Sequence, residues 1–189
     1  MSVSTRERLL AAAIAVVARE GLEAASVKAI AVEADVTPGL LHYHFPSKEA
    51  LLEAALRQAL DAHLEVVRAE RARTPPDKLL AALVESGRAA IAADADLFRL
   101  RLAFAAKALA DERLAAVMRD LNAAAVEETA ITIAAARGAR GPTKRDRALA
   151  ATLKAAFDGL MLNALLDPDF PVSVAGDVMR TAAEFSIRP

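Results

Sequence analysis

Residues 26–48, SVKAIAVEADVTPGLLHYHFPSK, contain two short helical segments that flank a tight turn at residues 34–36. Thr37 is a good N-cap for the second segment, and Pro38 suits its first helical position. Gly39 lets the backbone approach a partner closely. A helix of barely two turns cannot fold alone, so neighbouring helices must hold it. Because polar and aromatic side chains crowd this short helix, the pattern predicts a helix-turn-helix that reads DNA.

The composition limits the class of protein. The chain has 189 residues, a formal net charge of −1 and no cysteine, which excludes a disulfide framework and a thiolate metal site. Abundant alanine and long periodic stretches favour an all-α protein. The balanced charge is not the broad basic field of a non-specific nucleic-acid binder, so DNA binding must depend on a local cluster. Residues 36–48 lack carboxylates, which is consistent with such a cluster.

An apolar run at residues 9–18 follows two arginines and superficially resembles the core of a signal peptide. Glu7 interrupts the basic region that a signal peptide needs, and the run is required as the first helix of the helix-turn-helix unit. No other stretch reaches 18 apolar residues free of charge, so we expect no membrane span. These observations predict a cytoplasmic protein without a membrane partner.

Helical periodicity predicts an all-α chain of about nine helices. The helices are expected over about residues 5–20, a short segment capped by Ser26, 38–44, 48–73, 78–93, 97–107, 112–137, 144–166 and 173–186. Their signals are a left-handed cap at Gly21, a stop at Gly138, and N-caps at Ser47, Asp96 and Asp111. We therefore expect a three-helix helix-turn-helix domain at residues 1–46 and a C-terminal helical bundle at residues 47–189.

The core of the first domain can be predicted from the same periodicity. The inward stripe of the first helix comprises Leu9, Leu10, Ala13, Ile14 and Val17. Ile30 and Ala31 should face inward on the second helix, where Lys28 should point out. Leu41 and Phe45 should anchor the short third helix.

The helix near the C-terminus is unusually apolar. Between residues 148 and 166 only Lys154 and Asp158 are charged. A helix that is apolar nearly all round must be buried on more than one face. The simplest burial is against a second copy of the chain, which predicts a homodimer formed through residues 144–166 and 173–186. The alternative is the central helix of a monomeric bundle.

The candidate DNA contacts fall into two groups, and His42 is a further candidate that belongs to neither. Lys48 stands at the first position of its helix, where the macrodipole disfavours a cation, and a phosphate held there would explain the placement. Lys48 and Tyr43 are expected to hold phosphates, and Thr37 could contact DNA or simply cap its helix. The residues expected at base edges or groove walls are Lys28, Pro38, Gly39, Leu40 and His44.

Each of these side chains also has a plainer interpretation. Lys48 could be a solvated surface lysine, Tyr43 could be a half-buried packing residue, and His42 and His44 could be exposed polar positions without a role. The coincidence of cap, proline, glycine, aromatic ring and lysine in twelve residues favours the joint interpretation as a DNA reader.

Catalytic constellations are poor in this sequence. The three histidines lack the Glu-x-x-His spacing of di-iron bundles, and there is no nucleophile elbow, phosphate loop or dinucleotide fingerprint. We therefore expect no enzyme activity, no metal and no cofactor.

The middle helices combine many alanines with a few large side chains, a mixture typical of either a largely apolar cavity or close helix packing. His63 lies on an inward stripe, where a core histidine satisfied by a neighbour or by water is the common outcome. Thr129 and Thr132 are similarly ambiguous. The candidate contacts to a small, mainly hydrophobic effector are His63, Phe98, Phe104, Met118, Asn122 and Phe157.

Residues 5–52 resemble the tetracycline-repressor (TetR) family of bacterial regulators. The resemblance rests on the Ile30-Ala31 pair, on the Val36-Thr37-x-Gly39-x-Leu41 pattern and on residues 43–51, YHFPSKEAL. There are two departures. Asp35 replaces the usual turn glycine, which aspartate tolerates because it adopts left-handed backbone angles. His42 stands where the family commonly has tyrosine, so a phosphate contact from position 42 is in question.

The remainder of the chain resembles the family in layout. That layout implies a ligand pocket walled by the middle helices and a dimer made by the last two long helices. Residues 157–160 and the apolar run after them resemble the end of betaine-pathway repressors, without implying a ligand.

The favoured interpretation is a transcriptional regulator that binds a double-stranded operator and is released by the effector. One alternative is an all-α ligand-binding or adaptor protein without operator binding, which the balanced charge leaves open. The other is a helical-bundle enzyme, which the missing catalytic motifs disfavour.

Overall fold

The computed structural model describes residues 4–187, and every long regular element within that range is an α-helix. The helices are α1 (Thr5–Glu20), α2 (Val27–Glu33), α3 (Pro38–His44), α4 (Lys48–Arg73), α5 (Leu79–Ala93), α6 (Ala95–Ala108), α7 (Glu112–Ala136), α8 (Lys144–Leu166) and α9 (Val172–Ser186). A short 3₁₀ turn at Pro76–Lys78 fills the predicted break before α5. The predicted all-α fold class is confirmed.

Local signals explain most helix ends. Ser4 and Glu7 form a capping box at the start of α1, and the Ser26 hydroxyl accepts from the backbone N–H of Ala29 at the start of α2. The Ser47 hydroxyl accepts from the N–H of Ala50 at 3.1 Å, which confirms the predicted cap of α4.

Of the two N-caps predicted for α6 and α7, one is confirmed and the other is wrong. The Asp111 carboxylate accepts from the N–H groups of Arg113 and Leu114, as an N-cap should. Asp96 was predicted as a cap, but α6 already begins at Ala95. Asp96 therefore lies inside the first turn, where it forms an ion pair with Arg99 at 2.7 Å.

Two glycines end helices with positive φ. Gly138, with φ 71°, follows the end of α7 as predicted. Gly21 has φ 84° but ψ 161°, so it is not in the left-handed helical conformation that the sequence indicated. Its N–H still donates to the carbonyl of Val17, which closes the last turn of α1.

The helices form two compact units. Unit 1 contains the described residues up to Asp61 together with Ala95–Arg119, and unit 2 contains Ala62–Asp94 and the described residues from Asp120 onward. Residues 47–61, α6 and the start of α7 thus belong with the helix-turn-helix helices. These units and the predicted domains at residues 1–46 and 47–189 are different divisions of the chain.

Unit 1 has a core made by α1 against α2 and α6. Most of the predicted stripe of α1 is buried, but Ile14 is only half-buried and Val16 is fully buried in its place. The side chains of Ile30 and Ala31 are fully buried, as predicted for the inward face of α2.

Unit 2 has a core in which α9 packs on α5 and α8. Its buried members are Leu80, Ala130, Ile133, Ala150, Leu153 and Ala183. Gly87 of α5 allows the Phe157 ring to approach, because a Cβ at position 87 would lie 2.6 Å from Phe157 Cε2. Phe157 is therefore a packing residue against α5.

One described helix, α8, is long and apolar enough to cross a membrane by length and composition alone. A core helix of a soluble protein passes the same test.

Candidate nucleic-acid interface

The turn between α2 and α3 is a tight, hydrogen-bonded connection. The N–H of Asp35 donates to the carbonyl of Val32 at 3.0 Å, and the N–H of Val36 donates to the carbonyl of Ala31 at 2.9 Å. Asp35 has φ 52°, which confirms that aspartate takes the left-handed position at this turn.

The short helix α3 is held from one side and capped at its start. Leu41 is fully buried and Phe45 nearly so, which confirms both predicted anchors. The Arg6 guanidinium lies 5.4 Å from the centre of the Phe45 ring, within cation–π range. The Thr37 hydroxyl accepts from the N–H of Leu40 at 3.3 Å, as predicted for the N-cap. The helix is therefore fixed by neighbours, and its other side is free to present groups.

The structure brings the predicted DNA-contacting residues to two packed helices and the start of a third. The exposed members are Lys28, Thr37, Pro38, Gly39, Leu40, His42 and Tyr43, while His44 and Lys48 are half-buried. Tyr43 is 82% exposed, so the alternative of a half-buried packing tyrosine is wrong. The edge of one ring meets the other in the Tyr43–His44 pair, with centroids 5.3 Å apart.

Acidic groups near this surface are engaged by arginines of α1. Glu33 forms an ion pair with Arg19 at 3.0 Å, and the Asp35 carboxylate lies 3.9 Å from Arg8. These pairs reduce the repulsion that the carboxylates would exert on a DNA backbone.

Lys48 has structural partners that the sequence did not reveal. Its ammonium donates to the carbonyls of Leu22 and Ala25, each at 2.9 Å, in the connection between α1 and α2. These bonds explain a lysine at the first position of α4 without any phosphate, and they contradict the alternative of a solvated surface lysine. An ammonium has three N–H donors, so one remains for a phosphate.

The six predicted effector contacts do not gather in one unit. Phe98, Phe104 and Met118 are buried in unit 1, whereas half-buried His63, Asn122 and Phe157 belong to unit 2. Burial lowers the pKa of the His63 imidazole, so the neutral ring is favoured at pH 7.

A small cavity within unit 2 is lined by none of these six residues. Its volume is about 10 Å³, which is room for about one water molecule. The lining residues are Val67, Glu70, Arg71, Leu79, Ala82, Leu83, Ser86 and Thr132.

A polar cluster beside this cavity was missed at the level of sequence. Glu128 of α7 is 6% exposed and forms ion pairs with Arg68 at 2.9 Å and Arg71 at 2.5 Å. Arg71 also donates to the Thr132 hydroxyl at 3.0 Å. Burial raises the pKa of Glu128, but the arginine bonds outweigh it and hold the pKa below its ordinary value. The sequence signal that could have identified this cluster is Glu128, which lies four residues before Thr132 on the same face of α7.

Comparison with known proteins shows the family. Residues 9–55 match the family model described as bacterial regulatory proteins, tetR family. Residues 75–186, more than half of the chain, match the model described as BetI-type transcriptional repressor, C-terminal. The chain belongs to the TetR family. It is a transcriptional regulator with a helix-turn-helix DNA-binding region, as the sequence predicted.

Individual relatives agree with this assignment. The regulator UidR of Escherichia coli strain K12 is 44% identical over 54 residues, which cover 29% of this chain and only 28% of UidR. The regulator BetI of Vibrio vulnificus is 26% identical over 170 residues, covering 87% of this chain and 82% of BetI. A solved Saccharomonospora viridis regulator in complex with choline is 25% identical, with TM-score 0.72 and coverage of 96% and 94%.

These relatives are transcriptional regulators, not enzymes. TetR-family regulators bind DNA operators and small-molecule effectors.

Proposed function

We propose that this TetR-family regulator is a cytoplasmic, homodimeric repressor that a small, mainly hydrophobic effector releases from its operator. The observation that carries the proposal is the exposed surface of α2 and α3, supported by buried Leu41 and Phe45. The match of residues 75–186 to a BetI-type repressor model supports repression rather than activation.

The dimer is supported by apolar side chains that a single chain leaves uncovered. Val174, Val178 and Phe185 share one face of α9, and Leu162 and Leu166 share one face of α8. Clustered exposed apolar side chains of this size are typical of an interaction site. A second copy of the same surface covers these side chains symmetrically and places two copies of α3, which we call the reading helix, on a roughly palindromic operator.

The effector proposal rests on three half-buried residues of unit 2, which together offer polar and aromatic groups. His63 offers a neutral imidazole and Asn122 offers an amide. Phe157 packs against α5 at Gly87 but is only half-buried, so part of its aromatic ring remains accessible to a ligand. Phe98, Phe104 and Met118 are buried in unit 1 and are not part of this proposal, although their contact with an effector stays a prediction. Helices α4 and α7 each contribute residues to both units, so a ligand that binds their later turns acts on continuous helices.

The proposed switch has a quantitative requirement. To weaken operator binding tenfold, an effector must prefer the non-binding state by about 1.4 kcal/mol. By linkage, operator DNA must weaken effector binding by the same factor.

The experiment that tests the switch measures both directions. A thermal-shift screen identifies a ligand among small apolar compounds, and choline is screened beside them as a cationic compound. An unbiased selection of bound DNA sequences identifies the operator. We expect operator DNA to raise the ligand Kd by the factor by which the ligand raises the operator Kd. A ligand of unit 2 that leaves operator affinity unchanged would show that the switch is wrong, and recovery of no operator would favour the adaptor alternative.

Substitution of Lys48 and substitution of Lys28 should have different effects on the stability of the protein and on DNA binding. Lys48→Ala removes two hydrogen bonds from a charged donor and should lower the free energy of unfolding by about 2 kcal/mol. It should also weaken binding to all DNA sequences and reduce the salt slope by about one unit. Lys28→Ala is the matched control, because Lys28 is exposed on α2. It should leave stability within about 0.5 kcal/mol and change which bases are preferred.

Thermal unfolding and salt titrations on operator and random DNA distinguish these outcomes. Equal effects of the two substitutions on operator and random DNA would contradict the division between phosphate and base contacts.

A further inference from the structure

The reading helix lacks every side chain that makes two parallel hydrogen bonds to one base. Residues 37–44 read TPGLLHYH and contain no Arg, Lys, Asn, Gln, Asp or Glu. Base recognition in the major groove ordinarily uses such side chains, with Arg or Lys on guanine and Asn or Gln on adenine. The first turn of α3 must therefore recognise bases by other means.

What this turn presents instead is apolar. Pro38 and Leu40 are exposed, and Leu40 keeps 37% of its surface although it is a large hydrophobic residue. The Thr37 hydroxyl is occupied in part by the N–H of Leu40, which leaves the threonine methyl as a further apolar group. We call Thr37, Pro38 and Leu40 the apolar tip of α3.

The backbone of the tip is also open to close approach. A Cβ built on Gly39 would find its nearest neighbour, Thr37 Oγ1, only at 4.0 Å. Since the side chain of Gly39 is a hydrogen atom, a flat base edge can reach this surface without displacing a protein atom.

The one apolar group that a base offers in the major groove is the C5-methyl of thymine. We propose that the apolar tip of α3 selects thymine by contact with this methyl group, and that Pro38 and Leu40 are specificity-determining residues. The inference rests on the proposed operator binding. It predicts that the bases opposite the first turn of α3 are thymines on the contacted strand.

Polar residues next to the apolar tip make the remaining contacts to DNA in this proposal. Lys28 on α2 and His42 and Tyr43 on the second turn of α3 are exposed and supply the charged and hydrogen-bonding contacts. The tip itself contributes no charge, so its contribution to affinity should be independent of salt, unlike that of a phosphate contact.

Deoxyuridine provides the decisive substitution in the DNA, because uracil keeps the hydrogen-bonding edge of thymine and lacks only the methyl. The operator is obtained by selection with the full chain, and each thymine is then replaced singly and in symmetric pairs. Loss of one buried methyl should weaken binding about fourfold, and loss from both half-sites about fifteenfold. We expect this penalty at one or two positions in each half-site, with an unchanged salt slope.

Leu40→Ala tests whether the loss of affinity on replacing thymine by uracil depends on the Leu40 side chain. In this variant the thymine and uracil operators should bind equally, within about twofold. Leu109→Ala is the matched control: Leu109 is 92% exposed after α6, so it removes an exposed leucine outside the tip and should preserve the uracil penalty.

Two results would overturn the inference. One is an operator in which no uracil substitution changes the Kd more than twofold. The other is a full uracil penalty in a folded Leu40→Ala protein. The DNA arm uses the unmodified chain and decides the question even if Leu40→Ala does not fold. Failure to select any operator would instead count against the proposed function, so the two failures are distinguishable.

Discussion

Val178→Asp in α9 is expected to convert the protein from a dimer into a monomer. Val178 is 66% exposed in the single chain, and it shares a face with Val174 and Phe185. In a two-fold symmetric interface each copy contributes the substituted residue, so two carboxylates would lose their hydration together. The effective desolvation penalty is several kcal/mol per ion, which is enough to separate the copies.

The loss of the dimer should be accompanied by a large loss of operator affinity. When two half-site readers are linked, the second contact is intramolecular and gains about 10² to 10⁴ in affinity. We therefore expect Val178→Asp to raise the operator Kd at least about 100-fold, while the helical content stays unchanged. Analytical ultracentrifugation and operator titration measure the two effects.

Val66→Asp is the matched control for this experiment. Val66 is 55% exposed on α4, away from α8 and α9 in sequence, and the chemical change is the same. This variant should remain dimeric. A dimeric Val178→Asp protein would refute the proposed interface, and a parent chain that sediments as a stable monomer at micromolar concentration would refute the dimer itself.

The helices were predictable because their signals are local. Thr37 and Pro38 fix the start of α3 through a cap and a preset φ, and the bounds of α3 agree with the prediction. Asp96 shows the limit of this reasoning, since an acidic residue suits the first turn of a helix as well as its cap. Only the hydrogen bonds distinguish the two positions.

The partners of Lys48 and Glu128 could not be predicted because they are distant in sequence. Lys48 donates to carbonyls 23 and 26 residues earlier, and Arg68 donates to Glu128 over 60 residues. Such bonds depend on tertiary packing, which periodicity does not encode. The sequence also could not show that the predicted effector contacts lie in two different units. An alanine-rich helix is consistent with either a cavity or close packing, so its composition does not locate a ligand site.

Asp146→Ala is expected to destabilise unit 2 by about 3 kcal/mol, because it breaks a buried ion pair and a helix cap together. Asp146 is 3% exposed and accepts from the Arg137 guanidinium at 3.1 and 2.7 Å. It also accepts from the N–H and the hydroxyl of Thr143, each at 2.7 Å, in the capping box of α8. For a chain of this size the expected fall in Tm is roughly 6 to 12 °C.

Glu127→Ala provides the control, because the Glu127–Arg147 pair joins α7 to α8 on the exposed surface, whereas Asp146 pairs with Arg137 just after α7. Exposed pairs of this kind contribute about 0 to 1 kcal/mol, so this variant should unfold close to the parent temperature. A loss of stability as large as that of Asp146→Ala would mean that burial is not what makes the Asp146 pair strong.

The pH dependence of unfolding gives an independent test of the same site. Burial raises the pKa of Asp146, but the bonds from Arg137 and Thr143 outweigh it and hold the pKa below its ordinary value. The stabilisation is therefore fully present above about pH 3.9, the value for an unfolded chain, and is lost as the pH falls through the folded-state pKa. The difference in Tm between the parent and Asp146→Asn should accordingly shrink as the pH is lowered below 4. A difference that stays constant down to pH 2 would show that the ionised carboxylate is not the stabilising species.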